Sequence, residues 1–389
     1  MRRVGVLSLA VGLACAGCGG SSSPPSISAT PRDGLLDARP RITIEGAGDG
    51  AVVRATTVDR RGQRWTSSTA VADVRKDLTR PLWSMTGGQD SYVPPRSGFS
   101  VRLDLVEGGR SVAHASIRRR LLAPGVRGQA VRDGLYGELY HPPGGGRRAA
   151  ALVIGGSEGG LRTAGVAGLL ASHGYPALAL AYFQEPGLPA ELKDIPLEYF
   201  ARALQRLRAQ PDVDPRRVVV IGVSRGGEGA LLIGSTYPKL VHGVVGLVAS
   251  NVVNPSTDGH SPAWTLHGAP LAHVGRAEFG KPDPTDHPQA FIRAERISGP
   301  ILTFSGGDDL LWPSSSYMTV LERRLDERHF ARSHRDVEYG TAGHLLGSAI
   351  PYLPAASESG YGGSPAADAA ARAALWPRML AFMRGLRGD

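Results

Sequence analysis

From Ala149 onward, the sequence alternates short, continuously apolar segments with longer segments of helical composition. Strands that are apolar on both faces and separated by helices form a mostly parallel sheet, which helices cover on both sides. This feature therefore predicts the α/β class. The predicted strands span 149–156, 175–183, 217–224, 244–250 and 300–306, and the predicted helices span 162–173, 196–209, 225–236, 314–327 and 367–386.

Two other regions lack this alternation. Residues 36–128 contain short apolar or alternating runs separated by Gly, Asp and Pro, without a helical period, which predicts a smaller all-β sandwich. The α/β domain is then expected to cover residues 129–389. Within it, residues 251–299 interrupt the pattern with Pro, Gly and His, and we predict that they form a cap inserted over one end of the sheet.

The first residues have the layout of an export signal. Two arginines precede an apolar run that is too short to span a bilayer. Ala16, Gly17 and Cys18, followed by a Gly/Ser-rich segment, resemble a bacterial lipoprotein cleavage site. We therefore predict a signal peptide over 1–18, a lipid on Cys18, a flexible tether over 19–35 and anchoring to the outer face of the cell membrane. Plain secretion and an uncleaved leader, with a cytoplasmic protein, are the alternatives.

Charge and cysteine usage exclude several other functions. The formal net charge is +9, but the arginines are scattered and no aromatic platform accompanies them, so we predict no nucleic-acid partner. The two cysteines, Cys15 and Cys18, both lie in the leader. The rest of the chain can therefore form neither an internal disulfide nor a thiolate metal site.

A serine between glycines, Gly222-Val223-Ser224-Arg225-Gly226, lies where the predicted strand 217–224 meets the predicted helix 225–236. A strand, a sharp turn and a helix are the setting of a nucleophile elbow, in which glycines allow the turn and the serine is exposed above the sheet. We therefore predict that Ser224 is a catalytic nucleophile. A Gly-rich turn of purely structural use is the alternative.

A serine nucleophile needs a base, and chains with this elbow place Ser first, then Asp or Glu, then His. Of the eleven histidines, only His344 lies in a Gly-rich turn after a predicted strand and near the C-terminal end of the sequence. A histidine on such a loop can reach the serine hydroxyl, so we predict that His344 is the base. A surface or capping role is the alternative.

The acid that orients the histidine is expected after the predicted strand 300–306, where Asp308 and Asp309 are adjacent. Neighbouring side chains on an extended segment point in opposite directions, so only one of them can face the histidine. We choose Asp309, because Pro313 follows four residues later, a frequent arrangement in such hydrolases. Metal binding by both carboxylates and a histidine is the competing interpretation, but the ligand spacing of known metal loops is missing. We predict no metal and no organic cofactor.

An oxyanion hole is expected in the Gly-rich loop 155–160, GGSEGG, at the end of the predicted strand 149–156. We predict that the backbone N–H groups of Arg225, at a helix start, and of Ser157, in this loop, hold the negative oxygen of the reaction intermediate. The loop lacks both the Lys-Ser/Thr pair of a phosphate-binding loop and the order of glycines of a dinucleotide site.

Further stretches spread along the chain carry a resemblance to a known family. They are PLWSM at 81–85, LAPGVR at 122–127, ALALAYF at 177–183, LEYF at 197–200, SRGGE at 224–228 and GDD at 307–309 with Trp312. With them, the sequence from about Ala38 to Gly385 resembles the bile acid-CoA:amino acid N-acyltransferase and acyl-CoA thioesterase family. The resemblance implies an immunoglobulin-like sandwich followed by an α/β-hydrolase domain, with Ser224, Asp309 and His344 as the triad.

The resemblance also implies a reaction. Members with a cysteine nucleophile tend to transfer the acyl group to an amino acid, whereas members with a serine tend to hydrolyse the thioester. Ser224 therefore implies hydrolysis of a small-molecule acyl thioester or carboxylic ester through an acyl-enzyme, with the cap helping to form the acyl pocket. The export signal departs from this, because acyl-CoA is cytosolic. An acyltransferase with an amine or alcohol acceptor and a non-catalytic surface-binding lipoprotein are the competing functions.

Overall fold

The computed structural model describes residues 23–87, 91–355 and 360–386. The predicted signal peptide and Cys18 lie outside these ranges, so export and lipid anchoring stay predictions. No helix in the described ranges has the length and apolar character needed to cross a membrane.

The N-terminal part is built from strands in two sheets. β1 pairs with β3, and the other strands form a five-stranded sheet in the order β2-β7-β6-β4-β5. Side chains of β4 and β6 alternate between buried and exposed positions over most of their length, the pattern of a sheet with one packed face. The strands are β1 (Ser26–Thr30), β2 (Asp33–Leu35), β3 (Arg41–Glu45), β4 (Val52–Val58), β5 (Arg64–Ala70), β6 (Phe99–Glu107) and β7 (Arg110–Arg120).

This region differs from the sequence prediction in two ways. β1 and β2 fall inside 19–35, so the predicted tether is wrong for this part. In β1, Ile27 and Ala29 are buried and the alternate residues are exposed, and the strand pairs with β3. Two helices, α1 (Val71–Lys76) and α2 (Arg80–Trp83), were not predicted. Both are too short for a helical period to be visible in the sequence.

The rest of the chain forms the predicted mostly parallel sheet. Its strand order is β18-β17-β14-β13-β10-β11-β9-β8; the first six strands are mutually parallel, and β9 and β8 form an antiparallel edge. The α/β class, preceded by a smaller all-β unit, is therefore confirmed. β8 begins two residues before the predicted boundary at 129. The strands are β8 (Arg127–Val131), β9 (Tyr136–His141), β10 (Arg148–Ile154), β11 (Ala177–Ala181), β12 (Ile195–Pro196), β13 (Val213–Val223), β14 (Val244–Leu247), β15 (Trp264–Leu266), β16 (Ala269–Pro270), β17 (Ile301–Gly306) and β18 (His334–Tyr339).

Helices cover both faces of this sheet. They are α3 (Ala164–Ser172), α4 (Leu197–Arg208), α5 (Arg225–Thr236), α6 (Ser314–Glu327) and α7 (Pro365–Gly385). Alternate residues of β10 belong to two separate apolar cores: Ala151 and Val153 to one, Leu152 and Ile154 to the other. The first of these cores also contains side chains of the N-terminal sheets, so the all-β unit packs on one face of the α/β unit.

The predicted cap, 251–299, contains little regular structure. β15 and β16 form a small sheet with β12, and short 3-10 helices lie at Arg276–Glu278, Pro288–Ala290 and Ala294–Arg296. Trp264 of β15 is fully buried against the ring of Tyr182, with the ring centroids 5.7 Å apart. The segment is therefore packed onto the α/β core.

Candidate active site

Three of the predicted site residues follow neighbouring parallel strands. Ser224 follows β13, Asp309 lies in the loop after β17, and His344 starts a 3-10 helix after β18. These strands, with β14, occupy adjacent positions in the sheet. The carboxyl ends of parallel strands meet at one edge, where ligand sites of open α/β sheets lie.

The turn at Ser224 has the geometry of a nucleophile elbow. Ser224 has φ 55° and ψ −120°, a backbone conformation that L-residues rarely adopt. Its N–H donates to the carbonyl oxygen of Leu247 at the end of β14, 2.8 Å away. A methyl group on Gly222 would lie 1.9 Å from the carbonyl oxygen of Gly226, and one on Gly226 would lie 2.2 Å from that of Gly155. Only glycine fits at either position, because the strand, the helix and the loop 155–160 meet there.

Ser224, His344 and Asp309 form a chain of hydrogen bonds. His344 Nε2 lies 2.9 Å from Ser224 Oγ, and His344 Nδ1 lies 2.9 Å from Asp309 Oδ2. An ionised carboxylate only accepts, so Nδ1–H donates to Asp309 and Nε2 accepts from the Ser224 hydroxyl. All three residues are at least nine-tenths buried. This arrangement can remove the hydroxyl proton as the oxygen attacks an acyl carbon.

Asp309 rather than Asp308 faces the histidine. The second carboxylate oxygen of Asp309, Oδ1, accepts from the N–H groups of Leu311 and Trp312, at 3.1 and 3.3 Å. Asp308 is exposed, and its Oδ2 accepts from the N–H of Gly363 at 2.9 Å. The two carboxylates therefore point to different partners, although residues 307–308 form a turn and not the extended segment that the prediction assumed.

Trp312 packs against the imidazole. Its ring centroid lies 5.9 Å from that of His344 in an edge-to-face arrangement, and its Nε1–H donates to the carbonyl oxygen of Val248 at 2.9 Å. The indole is thus fixed at one end by the loop that follows β14. Trp312 therefore contacts both His344, through its ring, and Asp309, through its backbone N–H.

The loop 155–160 lies beside Ser224. A methyl group on Gly156 would be 3.0 Å from the Cβ atom of Ser224. The N–H of Gly156 already donates to Glu158 Oε1 at 3.0 Å, while the next residue, Ser157, is exposed. Arg225 is the first residue of α5, where backbone N–H groups have no partner within the helix. Of the two predicted oxyanion residues, Arg225 follows Ser224 in the chain, and Ser157 follows Gly156, whose backbone lies beside Ser224.

A buried ion pair within α5 is hydrogen-bonded to the predicted cap. Arg225 Nη2 lies 3.4 Å from Glu228 Oε1, and the guanidinium also donates to the carbonyl oxygens of Asn254 and Pro255. Glu228 in turn accepts from Trp264 Nε1 at 2.7 Å and from Asn254 Nδ2 at 2.9 Å. Burial raises the pKa of Glu228. The stretch SRGGE, noted above as part of a resemblance, thus connects the cap to the turn that carries Ser224.

Asp368 is a supporting residue that the sequence did not reveal. It is buried in the first turn of α7, and its Oδ1 accepts from the N–H of Gly343, 2.8 Å away, immediately before His344. The N–H of His344 itself donates to the carbonyl oxygen of Tyr361. Burial raises the pKa of Asp368. An aspartate in a first turn is common at helix starts, so only the fold distinguishes this one.

Metal ligation has little support among the described residues. No group of three or more His, Cys, Asp or Glu side chains lies close enough together in 23–87, 91–355 and 360–386 to hold an ion. The competing interpretation of Asp308 and Asp309 as metal ligands therefore lacks a site there.

The chain is similar to known proteins along most of its length. Residues 195–387 match the model of the family described as BAAT / acyl-CoA thioester hydrolase C terminal. Acyl-coenzyme A thioesterase 1 of Mus musculus is 30% identical over 80% of this chain and 77% of its own, and acyl-coenzyme A thioesterase 6 of Mus musculus is 31% identical over 78% and 76%. The solved structure of the esterase Est22 is 17% identical over 67% of this chain and 81% of its own, with a TM-score of 0.45.

The two relatives at 30% and 31% identity align over more than two thirds of this chain and of their own length, the extent expected of members of one family. The resemblance identified from the sequence is thereby confirmed. The chain belongs to the BAAT / acyl-CoA thioester hydrolase family and is an ester or thioester hydrolase.

Proposed function

We propose that the chain hydrolyses acyl thioesters, or carboxylic esters, through a triad of Ser224, His344 and Asp309 and an acyl-enzyme intermediate. The observation that carries this proposal is the continuous hydrogen-bonded chain of the three side chains, with both contacts at 2.9 Å. The names of the relatives, acyl-coenzyme A thioesterases, support a thioester as the substrate.

In the first step, Ser224 Oγ attacks the acyl carbon while its proton passes to His344 Nε2. The negative oxygen that forms accepts from the N–H groups of Arg225 and Ser157. The carbon–sulfur or carbon–oxygen bond then breaks, and His344 returns the proton to the leaving thiolate or alkoxide. Asp309 stabilises the imidazolium in between and holds its tautomer.

In the second step, water takes the place of the leaving group. His344 removes a proton from the water as its oxygen attacks the acyl ester of Ser224. The ester bond breaks, the proton passes to Ser224 Oγ, and a carboxylic acid leaves. No redox partner or metal is needed for either step to balance.

The test is turnover of an acyl-CoA and of short p-nitrophenyl esters, together with labelling by a fluorophosphonate probe. We expect Ser224→Ala to lose labelling and to lower kcat by on the order of 10³ or more. Ser111→Ala, at an exposed serine of β7, is the matched control and should retain both. A folded wild-type protein that reacts with none of these compounds would favour a binding function instead.

Transfer to an acceptor is distinguished in the same assay. Adding an amine or alcohol gives an amide or a new ester if the acyl-enzyme reacts with it in preference to water. Release of free acid at an undiminished rate supports hydrolysis. Capture of most of the acyl group by the acceptor would replace the hydrolase proposal with an acyltransferase.

A further inference from the structure

Large apolar side chains that are exposed to solvent are concentrated near the triad. Among the described residues, five are strongly exposed. Two of them, Val58 and Val112, lie on strands of the all-β unit. The other three are Phe279 of the cap and Leu310 and Leu311 of the loop that carries Asp309, with exposed fractions of 46%, 68% and 38%. We call these three residues the apolar rim.

The apolar rim adjoins the candidate active site along the chain and through the ring of Trp312. Leu310 and Leu311 directly follow Asp309 in the chain. The ring of Phe279 lies 6.4 Å from the ring of Trp312, which lies 5.9 Å from the imidazole of His344. Two ring contacts therefore lead from the solvent-exposed rim to the proposed base.

The backbone on the loop side of the rim is held in place. The N–H of Leu311 donates to Asp309 Oδ1, and Asp309 forms an isolated β-bridge with Gly362. Leu310 cannot leave the surface without disturbing this loop, because Leu311 is hydrogen-bonded to Asp309 and Asp309 is bridged to Gly362. The exposure of Leu310 thus follows from the loop conformation that positions Asp309.

The cap side of the rim is also fixed. Glu278, which is buried, accepts from the N–H of Asp286 and contacts the ring of His287. The N–H of Gly280 donates to the hydroxyl of Tyr317 on α6, 3.1 Å away. Phe279 lies between these two anchors, so its ring is presented beside Trp312 rather than free to fold into the core.

We propose that the apolar rim binds the hydrocarbon part of the acyl group while its carbonyl carbon is at Ser224. The inference rests on the proposed function and deepens it, because it assigns a surface to one part of the substrate. The stretch Leu310-Leu311-Trp312-Pro313 contains no charge, which suits a hydrocarbon chain and not the phosphate groups of a coenzyme. Contact with an acyl chain removes rim surface from water, which is favourable in proportion to the apolar area covered.

The test compares acyl chain lengths. We would measure kcat/KM for p-nitrophenyl acetate and p-nitrophenyl decanoate, both as monomers below their aggregation limit, in wild type and in Leu310→Ser. We expect the decanoate-to-acetate ratio to fall about fivefold to tenfold in the variant, the effect of losing part of one leucine contact. Val112→Ser, which removes an exposed apolar residue far from the triad, should leave the ratio at its wild-type value.

Three results would overturn the assignment. The first is an unchanged ratio in Leu310→Ser and in Phe279→Ser. The second is an equal loss on both esters, which would mean that the leucine acts on the chemistry and not on the chain. The third requires a second assay, with the decanoate presented in lipid vesicles: a loss seen only there, and not with the monomeric ester, would make the rim a lipid-contacting surface. A wild-type protein without turnover of any ester or thioester would instead refute the proposed function.

Discussion

Substitution of Glu228 by glutamine tests how much the buried ion pair of α5, with its hydrogen bonds to the cap, stabilises the fold. Glu228 is fully buried and receives three hydrogen bonds: from Trp264 Nε1 at 2.7 Å, from Asn254 Nδ2 at 2.9 Å and from Asn254 N at 3.2 Å. Arg225 Nη2 lies 3.4 Å away. Glutamine has nearly the same size, so the change alters charge and donor pattern and leaves the volume alone.

The expected loss follows from these contacts. Glutamine places its NH₂ group against an existing donor, whichever way the amide is turned, because both carboxylate oxygens accept. It also leaves the buried guanidinium of Arg225 without its counter-charge. Breaking one side of a buried ion pair costs about 3–5 kcal/mol, so we expect the free energy of unfolding to fall by roughly that amount.

Urea denaturation of four proteins measures the effect: wild type, Glu228→Gln, Arg225→Met and the double variant. Removing both charges leaves no isolated charge in the core. We therefore expect the double variant to lose less than the sum of the single losses, by about 2 kcal/mol. A Glu228→Gln protein within about 0.5 kcal/mol of wild type, or single losses that simply add, would refute the reasoning.

Three further substitutions follow from the environments of the carboxylates. Asp309→Asn should lower kcat by roughly 10³ or more, because the amide can hold the wrong tautomer of His344. Asp308→Asn, at an exposed carboxylate, should keep kcat within about threefold of wild type. The reverse ranking in an ester assay would contradict the choice of Asp309 as the acid. Burial raises the pKa of Asp336 to about 6 despite hydrogen bonds from Thr303 and Ser305. Between about pH 4 and pH 6, the folded protein therefore keeps a proton on this carboxyl that the unfolded chain has lost. Because the folded state binds more protons, the free energy of unfolding falls as the pH rises through this range. Asp336→Asn should remove this pH dependence. In urea denaturation, the free energy of unfolding of the variant should rise by roughly 2 kcal/mol relative to that of wild type as the pH goes from 4 to 7. Parallel pH profiles of the two proteins would contradict this role of Asp336.

Much of the α/β unit could be predicted because its signals are local. The helix at 225–236 and the one at 314–327 have the predicted bounds, and the strand before Ser224 ends at Val223, one residue before its predicted end. Burial on both faces removes polar residues from these strands, so the pattern is visible in the sequence alone. The strand at 26–30 was missed because its exposed positions are serine and threonine within a Pro- and Ser-rich stretch.

The supporting residues of the site could not be predicted in the same way. Asp368 meets Gly343 only because α7 packs beside the loop after β18, 25 residues earlier in the chain. The ring of Phe279 reaches Trp312 only because the cap is anchored to α6. The residues next to Asp368 and Phe279 in the sequence do not indicate which distant residue either side chain contacts.

The sequence by itself determined the class of fold, the turn that carries Ser224 and the order of the three candidate catalytic residues, since each depends on neighbours a few positions away. The tertiary structure alone decided that His344 lies 2.9 Å from a serine 120 residues earlier, that its other ring nitrogen lies 2.9 Å from Asp309, and that Phe279 of the cap lies beside Trp312. The physical reason is that hydrogen bonds and ring contacts act over a few ångströms in space. Which distant residues come that close is set by the order of strands in the sheet.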